Sequence, residues 1–109
     1  MVKHVTTTQQ FDELLQSNDP FVFLKHSTTC PISAAAYSEF LAFASSFEDI
    51  PCYFLHVQDE RPLSNYIAEQ IGVRHESPQL FIFKGGKPIY HTSHFSIKKD
   101  AIKEALETK

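Results

Sequence analysis

The sequence predicts an α/β fold, a mixed sheet of four to five strands flanked by helices on both faces. Three observations carry this. Strand-length apolar runs alternate with stretches of helical periodicity, the pattern of parallel βαβ units with right-handed crossovers. Late in the chain Gly85-Gly86 separates two further strand-like runs, which marks a hairpin and an antiparallel edge. Between these, Phe21, Val22, Phe23 and Leu24 are apolar without alternation, as a strand covered on both faces requires.

Taken in order, residues 1–6 are either a short edge strand or a lead-in. Thr7 with Gln10 fits a capping box opening a helix whose apolar face is Phe11, Leu14 and Leu15. Ser17 to Pro20 stop it, and the strand at 21–25 follows. His26 to Thr29 read as a polar turn. Cys30 precedes Pro31, whose missing N–H has no intrahelical partner in a first turn anyway, so a helix is expected from Pro31 to about Phe47. Its buried face is Ala36, Phe40, Ala44 and Phe47, widened by Tyr37, Leu41 and Phe43. The next strand is Cys52–Val57, followed by a charged loop from Gln58 to Pro62. Leu63, Ile67 and Ile71 recur every four residues in a helix ended by Gly72. After a connection at 73–77, Pro78 opens the strand Gln79–Lys84, and Lys87–Thr92 is its partner. Ser96 is placed to cap a last helix with the stripe Ile97, Ala101, Ile102, Ala105 and Leu106.

With 109 residues and no linker or repeat, the chain is expected to be one domain, 1–109. A hydrophobic share of 42% is ordinary for a soluble globular protein, and a net charge of −3 without a basic block argues against nucleic acid or an acidic membrane surface as partner. No run approaches a membrane span, and MVKHVTTTQQF lacks the apolar core of a secretory signal, so a cytoplasmic location is expected. Thiols there are normally reduced, and two cysteines are too few for a disulfide framework. Cys52, in CYFLHV, reads as a small buried hydrophobe.

Cys30 reads differently. A thiol at a helix start meets unpaired N–H groups and the positive end of the helix dipole, both of which favour the thiolate. The thiolate is the form that attacks disulfides. Dithiol redox proteins carry a second cysteine three positions on; here that position is Ser33, so the motif Cys-Pro-Ile-Ser has an attacking sulfur and no local resolving one.

Two separated segments resemble the thioredoxin family: the strand–turn–Cys30-Pro31-Ile32-Ser33–helix, and QIGVRHESPQLFIFKGGKPI, similar to that family's cis-proline strand and hairpin. The resemblance implies that Pro78 faces the active cysteine and that the backbone of Ser77 pairs with substrate. Within that fold, Lys25 to Ser33, KHSTTCPIS, resembles the active-site segment of the monothiol bacilliredoxin family, and the likeness extends over essentially the whole chain. Membership implies a thiol–disulfide oxidoreductase that removes bacillithiol from client proteins, Cys30 taking up the bacillithiol as a mixed disulfide. The implied partners are bacillithiolated proteins, with bacillithiol or a reductase to reset Cys30. No tightly bound cofactor and no metal site are expected. Dithiol thioredoxins bury an Asp six positions before the first cysteine. That position is Leu24 here, in keeping with the missing second thiol.

Around Cys30, the Ser33 hydroxyl or nearby N–H groups either bond the thiolate or meet only solvent. Lys25 either supports the thiolate by charge or snorkels to water. His26 is a candidate base, and Thr28 and Thr29 shape the turn. His4, His56, His75, His91 and His94 read as surface residues without a metal pattern. Three rival readings remain. Cys52 would act as a distant resolving thiol. An iron–sulfur carrier, like monothiol glutaredoxins, would use Cys30 as a cluster ligand, although Pro31 replaces their usual glycine. A fold-only adaptor would use no thiol chemistry.

Overall fold

The computed structural model describes residues 2–108. The elements are β1 (Val2–His4), α1 (Thr8–Leu15), β2 (Phe21–His26), α2 (Pro31–Ser46), β3 (Cys52–His56), α3 (Arg61–Ile71), β4 (Gln79–Lys84), β5 (Lys87–Ser93), a 3₁₀ turn (His94–Ser96) and α4 (Lys99–Thr108). The five strands form one sheet in the order β1-β3-β2-β4-β5. β1, β3 and β2 run parallel, while β4 and β5 are antiparallel to their neighbours. The edge-strand alternative for the N-terminus therefore holds: Val2 to His4 pair with Cys52 to Phe54.

Alternation along the strands divides the core into two layers. Val22 and Leu24 of β2, Cys52 of β3 and Leu80 and Ile82 of β4 meet Ala36, Phe40 and Phe43 of α2 and Ile102 and Ala105 of α4. On the other face Phe21, Phe23, Leu55, Phe81 and Phe83 meet Phe11 of α1 and Leu63 and Ile67 of α3. Every residue of β2 is buried, which is why that run shows no alternation.

The local signals work as expected at several ends. The Thr7 side chain accepts from the Gln10 N–H while the Gln10 side chain returns to the Thr7 N–H, closing the capping box. Gly85 and Gly86 both have positive φ, at 61° and 80°, the backbone that a tight hairpin between right-twisted strands needs.

Four expectations need correction. His26 is not in the turn; it pairs with His56 as the last residue of β2 and is buried. The loop expected through Pro62 stops short, because Arg61 and Pro62 already form the first turn of α3, where a proline needs no donor. Ser96 does not cap α4. It ends the 3₁₀ turn, and the Glu39 carboxylate of α2 accepts the Lys99 N–H at 2.8 Å instead, supplying from another helix the acceptor a local serine would give. Finally, His56 and His75 are half-buried, with Asp59 and Lys25 respectively as partners, whereas His4 does lie at the surface, with Glu60 as its partner.

Candidate active site

Cys30 is the N-cap residue of α2, with extended backbone angles and a half-buried side chain. Its thiol is held below the ordinary value, first by the Ser33 backbone N–H, then by that of Ile32, with burial working against them. These are the N–H groups a helix start leaves without an intrahelical acceptor. The Ser33 Oγ is buried and closes no hydrogen bond of its own, so the backbone groups do most of the stabilising. Pro31 stands exposed at the first helical position.

The turn before Cys30 is clamped from outside. Gln58, in the loop after β3, accepts the Thr28 N–H at 3.3 Å and donates through Nε2 to Ser27 Oγ at 2.7 Å and Thr29 Oγ1 at 3.0 Å. Thr29 is thus a turn-shaping residue, and Gln58 is a site residue the sequence did not reveal. Nothing local marks a glutamine about thirty positions away as its partner.

Register places the proline segment beside this turn. Lys25 pairs with Gln79, so Ser77 and Pro78 continue past the same end of the sheet from which the Cys30 turn departs. The Ser77–Pro78 peptide is cis, Pro78 is buried, and its carbonyl accepts the His94 N–H at 3.0 Å. The segment is tied down by buried Gln79, whose side chain bonds the Arg74 carbonyl and the Glu76 N–H. The 3₁₀ turn bonded to Pro78 carries Phe95, 69% exposed, a large apolar side chain that periodicity did not single out. This is the carboxyl end of the parallel strands, where open α/β sheets place their ligands.

Lys25 and His26 end up elsewhere than at the thiol. Lys25 projects from the face of β2 opposite α2. It neither snorkels nor reaches Cys30: it is fully buried, its Nζ donates to the Ser64 carbonyl at 3.0 Å and to His75 Nδ1 at 3.2 Å, and it lies over the Phe81 ring. His26 lies on the α2 face, stacked on Tyr37 at 4.4 Å, with Nδ1 buried and without a partner. Burial, then the neighbouring His56, push its pKa down, so it is neutral near pH 7.

Burial also pushes the Lys25 ammonium down, to about 8. A lowered amine pKa means the folded state resists protonation. The associated stability is complete above the unfolded value of roughly 10.4 and is lost as pH falls through about 8. Lys25→Met, which fills the volume without a charge, is therefore expected to stabilise the fold by about 1–3 kcal/mol at pH 7. The gain should shrink between about pH 8 and 10.5. Urea unfolding of both proteins across that range checks it; a destabilised variant at pH 7 would mean the bonds to Ser64 and His75 outweigh desolvation.

Cys52 stands apart from this machinery. It pairs with Val22 at the opposite end of β2, and four strand residues of rise, about 13 Å, separate it from His56 at the Cys30 end. A disulfide needs Cα atoms within about 7 Å. Burial also pushes the Cys52 thiol up to about 11, so it remains protonated and inert.

A cysteine of lowered pKa at the N-cap position of the helix after a central parallel strand, opposite a proline-led antiparallel strand, defines a thioredoxin-fold thiol oxidoreductase. The particular branch follows from residues 3–102, which match the family described as monothiol bacilliredoxin BrxC, and the chain belongs to that family. Solved structures agree. A protein provisionally described as an oxidoreductase with a thioredoxin fold shares 39% identity at a TM-score of 0.90, over 96% of this chain and 93% of its own. Thioredoxin from Trypanosoma brucei brucei superposes with a TM-score of 0.80 at 15% identity, over 99% of this chain and 89% of its own. That of Malassezia sympodialis gives 0.78 at 18%, over 99% and 90%. At such identities these two show the shared fold alone.

Proposed function

We propose that this protein removes bacillithiol from mixed disulfides on client proteins. The observation that carries the reading is a single activated thiol with no second thiol in reach: Ser33 occupies the resolving position and Cys52 lies at the far end of the sheet. Family membership supplies the identity of the small thiol.

The Cys30 thiolate attacks the bacillithiol sulfur of a protein–bacillithiol disulfide. A new S–S bond forms to Cys30, the old one breaks, and the client cysteine leaves as its thiolate, so no external oxidant or reductant enters the step. The backbone at Ser77 pairs with the client segment and Pro78 shapes the groove. Phe95 offers apolar contact at its edge. With Ser33 unable to displace bacillithiol, the mixed disulfide persists until bacillithiol or a reductase attacks it.

Intact-protein mass spectrometry of the acid-quenched reaction tests this. Reduced wild type and Cys52→Ser, mixed with a client carrying a bacillithiol disulfide, should each gain one bacillithiol mass as the client loses it. Loss of two hydrogens from the wild type without an adduct would overturn the monothiol assignment. Absence of any transfer would overturn the bacillithiol reading itself.

A further inference from the structure

Three side chains outside the thiol site converge where β1, β3 and the start of α3 meet. His4, His56 and Glu60 each present one ligand atom, and these atoms all lie within 4.8 Å of one another. Their positions are well defined. The His4 ring stacks on Phe54 at 4.8 Å with planes 3° apart. Glu60 is 9% exposed, and its Oε1 accepts the His56 N–H at 2.8 Å and faces His4 Nε2 at 2.6 Å. Asp59 Oδ2 lies 3.6 Å from His56 Nδ1, in reach as the carboxylate that orients many metal-bound imidazoles.

The arrangement is unusual in its charge. Among the described residues no lysine or arginine pairs with the Glu60 carboxylate, whose only ion-pair partner is an imidazole. A nearly buried carboxylate therefore faces two imidazoles. Two imidazoles and one carboxylate with an open position are a ligand set for zinc. Bonds of about 2.0–2.2 Å to a common ion set neighbouring ligand atoms roughly 3.3 Å apart; here His4 Nε2 and Glu60 Oε1 are 2.6 Å apart and all three ligand atoms lie within 4.8 Å of one another.

We propose that His4, His56 and Glu60 bind a divalent transition metal of the zinc class. The metal staples the short edge strand β1 to the loop between β3 and α3. That loop also carries Gln58, which clamps the turn before Cys30. This function is independent of the thiol chemistry.

The test uses tag-free full-length Cys30→Ser, which removes the competing thiolate, titrated calorimetrically with ZnCl₂. One ion per chain should bind with a Kd of about 10 µM or tighter, and its thermal midpoint should rise with zinc. His4→Ala, His56→Ala and Glu60→Gln, each added to that background, should weaken binding by about tenfold or more, with circular dichroism checking that each variant folds. Imidazole NMR resonances of the unsubstituted background provide a readout that needs no further variant: His4 and His56 should shift on adding zinc while His91 and His94 do not. No binding at roughly 100 µM zinc, binding retained by all three variants, or shifts confined to the other histidines would overturn the proposal.

Discussion

Cys30→Ser is expected to lose bacillithiol transfer by about 10³-fold or more while folding at least as stably as the wild type. The hydroxyl that replaces the thiol is not ionised near pH 7 and does not attack sulfur at a useful rate. The backbone N–H groups of Ser33 and Ile32 that hold the Cys30 pKa down remain, but they have no thiolate to stabilise. The same groups favour the new side chain for another reason. Cys30 occupies an N-cap position without closing a side-chain cap, and serine there is among the best caps, worth up to about 1 kcal/mol over a non-capping residue. Activity and stability should therefore move in opposite directions, as when a reactive group displaces a structurally better one. Adduct formation by mass spectrometry and urea unfolding of the same preparation read both. Residual transfer within tenfold of wild type would show that another group does the chemistry.

Phe11→Ala is expected to cost about 3–5 kcal/mol, a large part of the roughly 5–15 kcal/mol that holds a domain together. Phe11 is the only buried residue of α1, so this eight-residue helix is held on the sheet chiefly by one side chain. The ring meets Phe23 and Phe83 edge-on at 5.5 Å each, and Tyr66 of α3 at 6.5 Å. Removing it leaves a cavity among rigid aromatics that α1 fills only by shifting. A helix this short has little stability of its own. Leu14→Ala, on the half-buried flank of α1, should cost distinctly less. The comparison is made by denaturant midpoints; a loss below about 1 kcal/mol for Phe11→Ala would mean that α1 docks by other contacts, such as the Tyr66 hydroxyl on the Asp12 carboxylate.

Features that depend on near neighbours are legible in the chain alone. The capping box at Thr7, the buried run at Phe21–Leu24, the thiol ahead of Pro31 and the glycine hairpin each follow from backbone chemistry acting over a few residues. The motif also showed that the cysteine stands alone, because Ser33 occupies the next position where a sulfur would be useful. Ser96 marks the limit of such reading: its side chain suits a cap, but packing gave that task to Glu39.

Contacts across the sheet are a different matter. Lys25 and His26 are adjacent in the chain and both polar, yet strand alternation sends one toward α3 and His75 and the other toward Tyr37. Neither direction is legible until the faces of the central strand are known. Gln58 meets the Cys30 turn, and Glu60 meets His4, across 56 positions, because β3 lies between β1 and β2. Periodicity reports which residues are buried; strand order and register decide which of them meet, and they are set by packing of the whole sheet.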